Sequence, residues 1–353
     1  MKRIGIIGTG GIANGAHINQ LLKLDNCKIT ALCDIDEKAL KKTAERINLD
    51  ESHCFNDYKD LINCEDVDAV EICTPNYMHI PIAEYAVSKG KPINVEKPLG
   101  LSADETKTLE KMLNDTGITN MMCFSYRFRP AVQYAKQIID RGLLGNIVGI
   151  QVEYLKSSAF WEGRRLDWRF VKKYAGTGVL GDLGAHLIDM AQLLVGDVTS
   201  VSAMADTIVK RRLRLDCDEY GDVETDDYCN FIATLTDRRT GESVPASFVI
   251  TRCAIGHNNT IKYDIYGTEG TISFNLNDPT VLGVCIGEVD KQSNGLHTIK
   301  VPSGFGIGQE EAFVNALHGD FCKNFPTVAD GIKCQRVIDA LTKSAEEHVF
   351  VNL

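Results

Sequence analysis

Apolar and polar positions follow two different rhythms along this chain. Through about residue 124, apolar runs at 3–7, 28–33, 67–73, 92–95 and 119–124 are separated by amphipathic stretches near 12–24, 37–47, 79–89 and 102–115. Short unbroken apolar runs read as strands buried on both faces, and the stretches between them read as helices. Their regular alternation predicts a parallel sheet. After residue 124 a helix near 131–141 is followed by β-like runs at 146–156, 198–209, 228–236, 244–252, 261–267 and 271–276. Strands that follow one another without helices predict a largely antiparallel sheet. Gly176–Leu194 interrupts it with a turn and a helix, and helical segments at about 309–323 and 330–348 close the chain. The expected organisation is therefore α/β, with one domain over 1–123 and a second over 124–353.

In a parallel sheet, ligands gather at the carboxyl ends of the strands. That rule makes neighbours of Gly8–Ile12, Asp34, Cys73–Asn76 and Glu96–Pro98, which are far apart in sequence. The first of these reads Gly8-Thr9-Gly10-Gly11-Ile12-Ala13, a G-x-G-x-x-A turn from strand to helix. A bare glycine backbone can approach a pyrophosphate, and the helix start offers free N–H groups and a positive dipole. Asp34 ends the second apolar run, where a carboxylate can accept from both ribose hydroxyls. A 2′-phosphate would meet that carboxylate directly, so the pattern points to NAD.

Composition narrows the picture. The net charge of −10 argues against nucleic-acid partners, because a net-negative chain is disfavoured on a phosphate backbone. No apolar run approaches the ~18 residues of a membrane span, and no secretory leader is expected, so the reading is cytoplasmic. Twelve cysteines without a C-x-x-C pair fit small buried side chains in a reducing compartment, and no metal site is expected. Basic Lys210–Arg214 and acidic Asp216–Asp227 read as a solvated loop between strands.

Two further segments carry chemistry. In Glu96-Lys97-Pro98, the proline biases Lys97 away from helix at a strand end, where its ammonium can hold a substrate hydroxyl and Glu96 can hold the ammonium. In Gly176-Thr-Gly-Val-Leu-Gly-Asp182-Leu-Gly-Ala-His186-Leu-Ile-Asp189, residues Leu183, Leu187, Met190, Ala191 and Leu194 form a core stripe. Asp182 and His186, four apart, share another face of that helix. Asp189 fits a solvent-facing or supporting place.

The G-x-G-x-x-A start, Cys73-Thr74-Pro75-Asn76-Tyr77-Met78-His79, Glu96-Lys97-Pro98 and the Gly-Asp-Leu-Gly-Ala-His block come in one order over nearly the whole chain. Together they resemble the glucose–fructose oxidoreductase / inositol dehydrogenase (Gfo/Idh/MocA) family. The resemblance implies an N-terminal NAD-binding Rossmann domain with a parallel sheet. It also implies a C-terminal α/β domain for substrate binding and oligomerisation, with an open, mainly antiparallel sheet. The catalytic group it implies falls on Lys97, Asp182 and His186. Cofactor contacts would come from Gly8, Thr9, Gly10, Gly11, Ile12 and Asp34, and from Thr74, Pro75, Asn76, His79, Glu96 and Lys97. Trp168-Arg169 matches a Trp-Arg pair near the cofactor in relatives, within Asp167-Trp168-Arg169-Phe170 of the pyranose and inositol branch. Ser125-Tyr126-Arg127-Phe128 matches a segment where many relatives carry Asn in place of Ser125. Arg127 and Arg165 are expected on the substrate side.

The implied activity is hydride transfer between NAD and a secondary hydroxyl on a sugar, glycoside or inositol ring, in a homo-oligomer, dimer or tetramer. Two rivals stand beside it. An NAD-dependent glycoside hydrolase of the same fold would oxidise, eliminate and return the hydride with no net NADH. A sensor that only binds NAD would have no need of Lys97, Asp182 and His186 together.

Overall fold

The structure, a computed structural model, describes residues 1–292 and 295–353. The chain divides into two compact units, Met1–Phe124 with Gly308–Lys333, and Ser125–Ile307 with Cys334–Leu353.

The first unit is built on six strands: β1 (Lys2–Ile7), β2 (Cys27–Cys33), β3 (Cys54–Phe55), β4 (Ala69–Ile72), β5 (Ile93–Val95) and β6 (Asn120–Met122). Their order is β3-β2-β1-β4-β5-β6, and every pairing is parallel. Ile4, Ile6, Leu32, Val70, Ile72, Ile93 and Val95 are buried, as apolar strands covered on both faces require. The order reverses between β1 and β4, which is where such sheets open a crevice at the carboxyl ends. Polar residues at the strand ends punctuate the helices. Asp36 caps the helix Glu37–Ile47 by accepting from the Lys38 and Ala39 N–H groups at 2.9 and 3.2 Å.

The helix expected over 12–24 runs over 11–21 and is wound as a π turn at Ala13–His17 before becoming α-helical at Ile18–Leu21. The first unit also takes back a segment that the sequence division left in 124–353. The helix Gln309–Leu317 packs on the helix Ile18–Leu21, the Met122 N–H donates to the Pro326 carbonyl at 3.1 Å, and the Val328 N–H donates to Asn120 Oδ1 at 2.9 Å. A segment that completes the edge beside β6 has no local pattern that announces its partner.

The second unit holds β7 (Ile147–Leu155), β8 (Val198–Asp206), β9 (Arg211–Leu213), β10 (Tyr220–Asp222), β11 (Tyr228–Thr236), β12 (Ser243–Thr251), β13 (Thr260–Gly267), β14 (Gly270–Asn275), β15 (Val281–Ile286), β16 (His297–Lys300) and β17 (Val351–Asn352). Nine of them form one sheet, in the order β16-β15-β14-β13-β7-β12-β11-β8-β17. Only β7 and β12 pair parallel among its described ladders. Along β11, Cys229, Phe231, Ala233 and Leu235 are buried while Ile232 faces out. This is the period-2 signature of a sheet covered on one face.

The charged stretch 210–227 is not a plain loop: β9 and β10 make an antiparallel pair within it. Arg211 stands opposite Asp222, with Nε 3.3 Å from Oδ1, so the opposite charges that read as solvation serve as a cross-strand pair.

Candidate functional site

At the carboxyl end of β1 the chain turns at Gly8, whose φ is +92°. A Cβ there would lie 2.7 Å from the Cys73 carbonyl oxygen, so the turn requires glycine on two counts. At Gly10 and Gly11, by contrast, a Cβ would meet nothing within 4 Å. Their bareness leaves open room at a helix start, which suits a pyrophosphate. Ile12 is partly exposed beside them.

Asp34 is held in place before any ribose arrives. Its Oδ2 accepts from the Thr9 N–H at 2.6 Å and from Thr9 Oγ1 at 2.9 Å, and its Oδ1 accepts from the Asp36 N–H at 2.9 Å. A carboxylate offers about four acceptor positions, so Oδ1 keeps one toward a hydroxyl donor. Beyond β4, Thr74 Oγ1 is buried with no hydrogen-bond partner among the described residues. An orphaned hydroxyl at this strand end fits a cofactor amide or phosphate group. Pro75 is half-buried beside it and Asn76 is buried. At the end of β5, Lys97 is half-buried, and its N–H donates to Glu96 Oε2 at 3.1 Å. The residues present therefore fit NAD.

His79 is held by backbone carbonyls. It is 1% exposed, and its Nδ1 and Nε2 lie 2.8 and 2.9 Å from the carbonyl oxygens of Pro98 and Thr74. Burial lowers its pKa, against the two carbonyl bonds that favour the charged ring. The side chain ties two strand-end turns together, with both ring nitrogens on backbone carbonyls.

In the second unit, Asp182 lies on a π turn, Leu180–Gly184, which runs into the helix Ala185–Leu194 carrying His186. The glycines upstream have a geometric cause. A Cβ on Gly178 would fall 1.7 Å from the Asp226 carbonyl oxygen, and Asp226 accepts from the Gly178 and Leu180 N–H groups at 2.6 and 2.9 Å. Burial pushes the Asp226 carboxyl up, and those two bonds oppose it. Asp182 Oδ2 accepts from Arg252 Nη2 at 2.6 Å, and the Arg252 side chain is 2% exposed against 35% for Asp182. The carboxylate is thus anchored from its buried side. His186 is buried, with its ring packed edge-on to Tyr126 at 4.6 Å between centroids. Tyr126, Tyr154 and Asn259 close a triangle of hydrogen bonds at 3.1, 2.8 and 3.0 Å.

Trp168 and Arg169 form a short turn capped by Asp167, with the Arg169 guanidinium 4.4 Å from the Trp168 ring centroid. Arg165 is partly exposed, and its Nη1 donates to the Arg214 carbonyl at 2.7 Å. Arg127 departs from expectation. Its Nε lies 3.1 and 2.9 Å from the two Asp189 oxygens, Nη2 adds a further bond, and both residues are buried. A guanidinium held by a buried carboxylate is part of the core, so the substrate assignment of Arg127 is corrected, and of the two places expected for Asp189 it takes the supporting one. Sequence reasoning also missed Arg252, Tyr154, Asn259 and Asp226. Only Asp226 left a trace, as one acid in a run read as solvated.

The family model described as oxidoreductase family, NAD-binding Rossmann fold, matches residues 2–124, and the GFO/IDH/MocA C-terminal domain model matches residues 132–273. Levoglucosan dehydrogenase from Pseudarthrobacter phenanthrenivorans is 31% identical over 91% of this chain and 88% of its own length. Glucose-6-phosphate 3-dehydrogenase from Bacillus subtilis is 28% identical, covering 96% and 95%. Inositol 2-dehydrogenase from Rhizobium meliloti is 23% identical over 98% and 97%. A solved structure of levoglucosan dehydrogenase in complex with NADH and levoglucosan superposes with a TM-score of 0.87 at 28% identity, covering 99% of both chains. The chain belongs to the Gfo/Idh/MocA family of oxidoreductases, and its first unit is that family's NAD-binding Rossmann fold.

Proposed function

We propose that this protein is an NAD-dependent dehydrogenase that interconverts a secondary hydroxyl and a ketone on a sugar, glycoside or inositol ring. The observation that carries the reading is the Asp182–His186 pair, one helical turn apart, with the carboxylate anchored by a buried arginine. The relatives named above act on a sugar, a sugar phosphate and a cyclitol, which share ring carbons bearing secondary hydroxyls.

NAD, when bound, accepts the hydride; the protein supplies position and field. Gly8, Thr9, Gly10, Gly11, Ile12 and Asp34 hold the adenosine and pyrophosphate end. Thr74, Pro75, Asn76, Glu96, Trp168 and Arg169 hold the other end. Lys97 donates to the substrate oxygen and stabilises alkoxide charge as it develops. His186 takes the hydroxyl proton, since imidazole exchanges protons near neutral pH. Asp182 orients the substrate hydroxyl against His186, and Arg165 is retained as a substrate contact.

Lys97→Ala and His186→Ala test the assignment. Each is expected to lower turnover roughly 10²–10⁴-fold while NAD titration stays near wild type. Near-normal turnover in either variant with a good substrate removes that residue from the mechanism. We also propose a cytoplasmic homo-oligomer, a dimer or tetramer. None of the twelve cysteines is in a disulfide among the described residues, and Met204 and Ile232 stand 76% and 54% exposed on the sheet's open side. A monomeric mass by light scattering would remove the oligomer.

A further inference from the structure

His17 closes the π turn that follows the glycine segment, and it is 1% exposed. Its two ring nitrogens meet carboxylates from three separate parts of the first unit. Nδ1 lies 2.5 Å from Glu71 Oε2 and 3.2 Å from Glu310 Oε1, and Nε2 lies 2.9 Å from Glu96 Oε1. Glu71 is on β4, Glu96 follows β5, and Glu310 is on the helix Gln309–Leu317. Glu71 and Glu310 are 0% exposed and Glu96 is 8% exposed. Cys73 and Cys123 complete the surroundings. Burial pushes the Cys73 thiol up to about 11 and the Cys123 thiol well up, so both face the ring uncharged.

A neutral imidazole has one N–H and one lone pair. Here each nitrogen faces a carboxylate oxygen, so both contacts are met when the ring carries two protons. Three ionised carboxylates around one cation would leave two negative charges in the core, which burial does not tolerate. Glu310 relieves this. Burial first, and Glu71 second, push its carboxyl up to about 7, against the bond that Gln309 Nε2 donates to its Oε1 at 3.0 Å. For His17, desolvation is the largest influence and pulls down. The Glu71 carboxylate beside Nδ1 opposes it, and the ring stands well above its ordinary value.

The same donors come within 4.8 Å of one another as two groups, His17 with Glu71 and Cys73, and His17 with Glu96 and Cys123. Yet the 2.5 Å contact is a hydrogen-bond length. Two ligands on one ion, each at ~2.0–2.2 Å and a tetrahedral or octahedral angle apart, stand farther from each other.

We propose that His17 is a positioning residue, a doubly protonated imidazolium that holds Glu96 and, through it, the Lys97 turn. Glu96 is gripped at both oxygens, by His17 at 2.9 Å and by the Lys97 N–H at 3.1 Å, so it cannot rotate without breaking one of them. One cation therefore ties the helix that starts at the glycine turn to the strand end that carries the lysine. This inference rests on the assignment of Lys97 to the reaction, and its test separates the two.

The full-length protein labelled with ¹⁵N-histidine is followed by NMR of its ring nitrogens between about pH 6 and 8. One of the eight histidines is expected to keep both ring protons through that range. It is assigned by its loss in His17→Gln or, if that variant does not fold, by its shift in Glu310→Gln. His17→Gln, or His17→Gln with Glu71→Gln to keep the core charge balanced, is expected to lower kcat roughly tenfold to a hundredfold. KM and NAD affinity should stay within about threefold. A singly protonated His17 ring at neutral pH, stoichiometric metal in the purified protein, or unchanged kcat in a folded variant would overturn the proposal. If Lys97→Ala retains full turnover, the catalytic reading fails on its own, whatever the NMR shows.

Discussion

Removing Arg127 should cost stability and leave chemistry standing. Arg127 and Asp189 are 5% and 1% exposed and joined through Nε to both carboxylate oxygens. Arg127→Met leaves the Asp189 carboxylate buried without its cation. Breaking a buried pair at one end costs about 3–5 kcal/mol. The cost here sits toward the upper end, because water reaches neither side chain. Asp189→Leu should cost a similar amount for the converse reason. The double variant Arg127→Met/Asp189→Leu removes both charges and replaces them with apolar volume. It should recover to within roughly 1–2 kcal/mol of wild type, giving a coupling energy of several kcal/mol. Urea unfolding of the four proteins measures this, provided the second unit's transition is followed by a probe of its own. Kinetics of the double variant supply the other half: KM for the best substrate should stay within about threefold. If Arg127→Met cost less than about 1 kcal/mol and raised KM tenfold or more, the guanidinium would be a substrate contact and the core assignment would be wrong.

Asp34→Ala should weaken NAD binding and narrow the preference over NADP, since it removes the acceptor of the ribose hydroxyls and the charge that repels a 2′-phosphate. Parallel titrations of both cofactors check it, and NADP binding as tightly as NAD to the wild type would contradict it. Arg252→Met should lower kcat roughly tenfold to a hundredfold with NAD affinity unchanged, because Asp182 loses its 2.6 Å anchor; an unchanged kcat would remove Arg252 from the site. Glu310 has its carboxyl raised from 4.5 to about 7 in the fold. Its contribution to stability is therefore complete below the unfolded value and is lost as pH rises toward 7. Glu310→Gln should flatten that part of the pH–stability curve, and a curve parallel to wild type between about pH 4.5 and 7 would show that no such shift exists.

Strands buried on both faces and the glycine turn announce themselves locally, so the parallel sheet and the place of Asp34 were legible in the residues. Short sequence distance also made Asp182 and His186 a pair on one helix. What stayed hidden depends on distant partners. Arg252 lies 70 residues beyond Asp182 and looks like one more polar residue at a strand end. His17 reads as the polar face of an amphipathic helix, and only the fold brings Glu71, Glu96 and Glu310 to it. The motif around His79 suggested a cofactor contact, whereas burial turned its ring onto two carbonyls. Arg127 looked available for a substrate because nothing local ties it to its partner, 62 residues away. The pair β9–β10 was passed over because alternating charges suggest solvation when the cross-strand register is unknown.

The most direct test of the central claim is the initial rate of NADH absorbance when purified protein and NAD meet a panel of free pyranoses, glycosides and inositols. At least one member is expected to yield NADH in stoichiometric amount with the ketone formed. The initial rate should rise with pH as the base takes up the hydroxyl proton more readily. Initial rates are the readout because release of a proton in the oxidation shifts only the end point by mass action. Catalytic release of sugar from a glycoside, with NAD required and no NADH accumulating, would contradict the dehydrogenase reading and establish the hydrolytic one in its place.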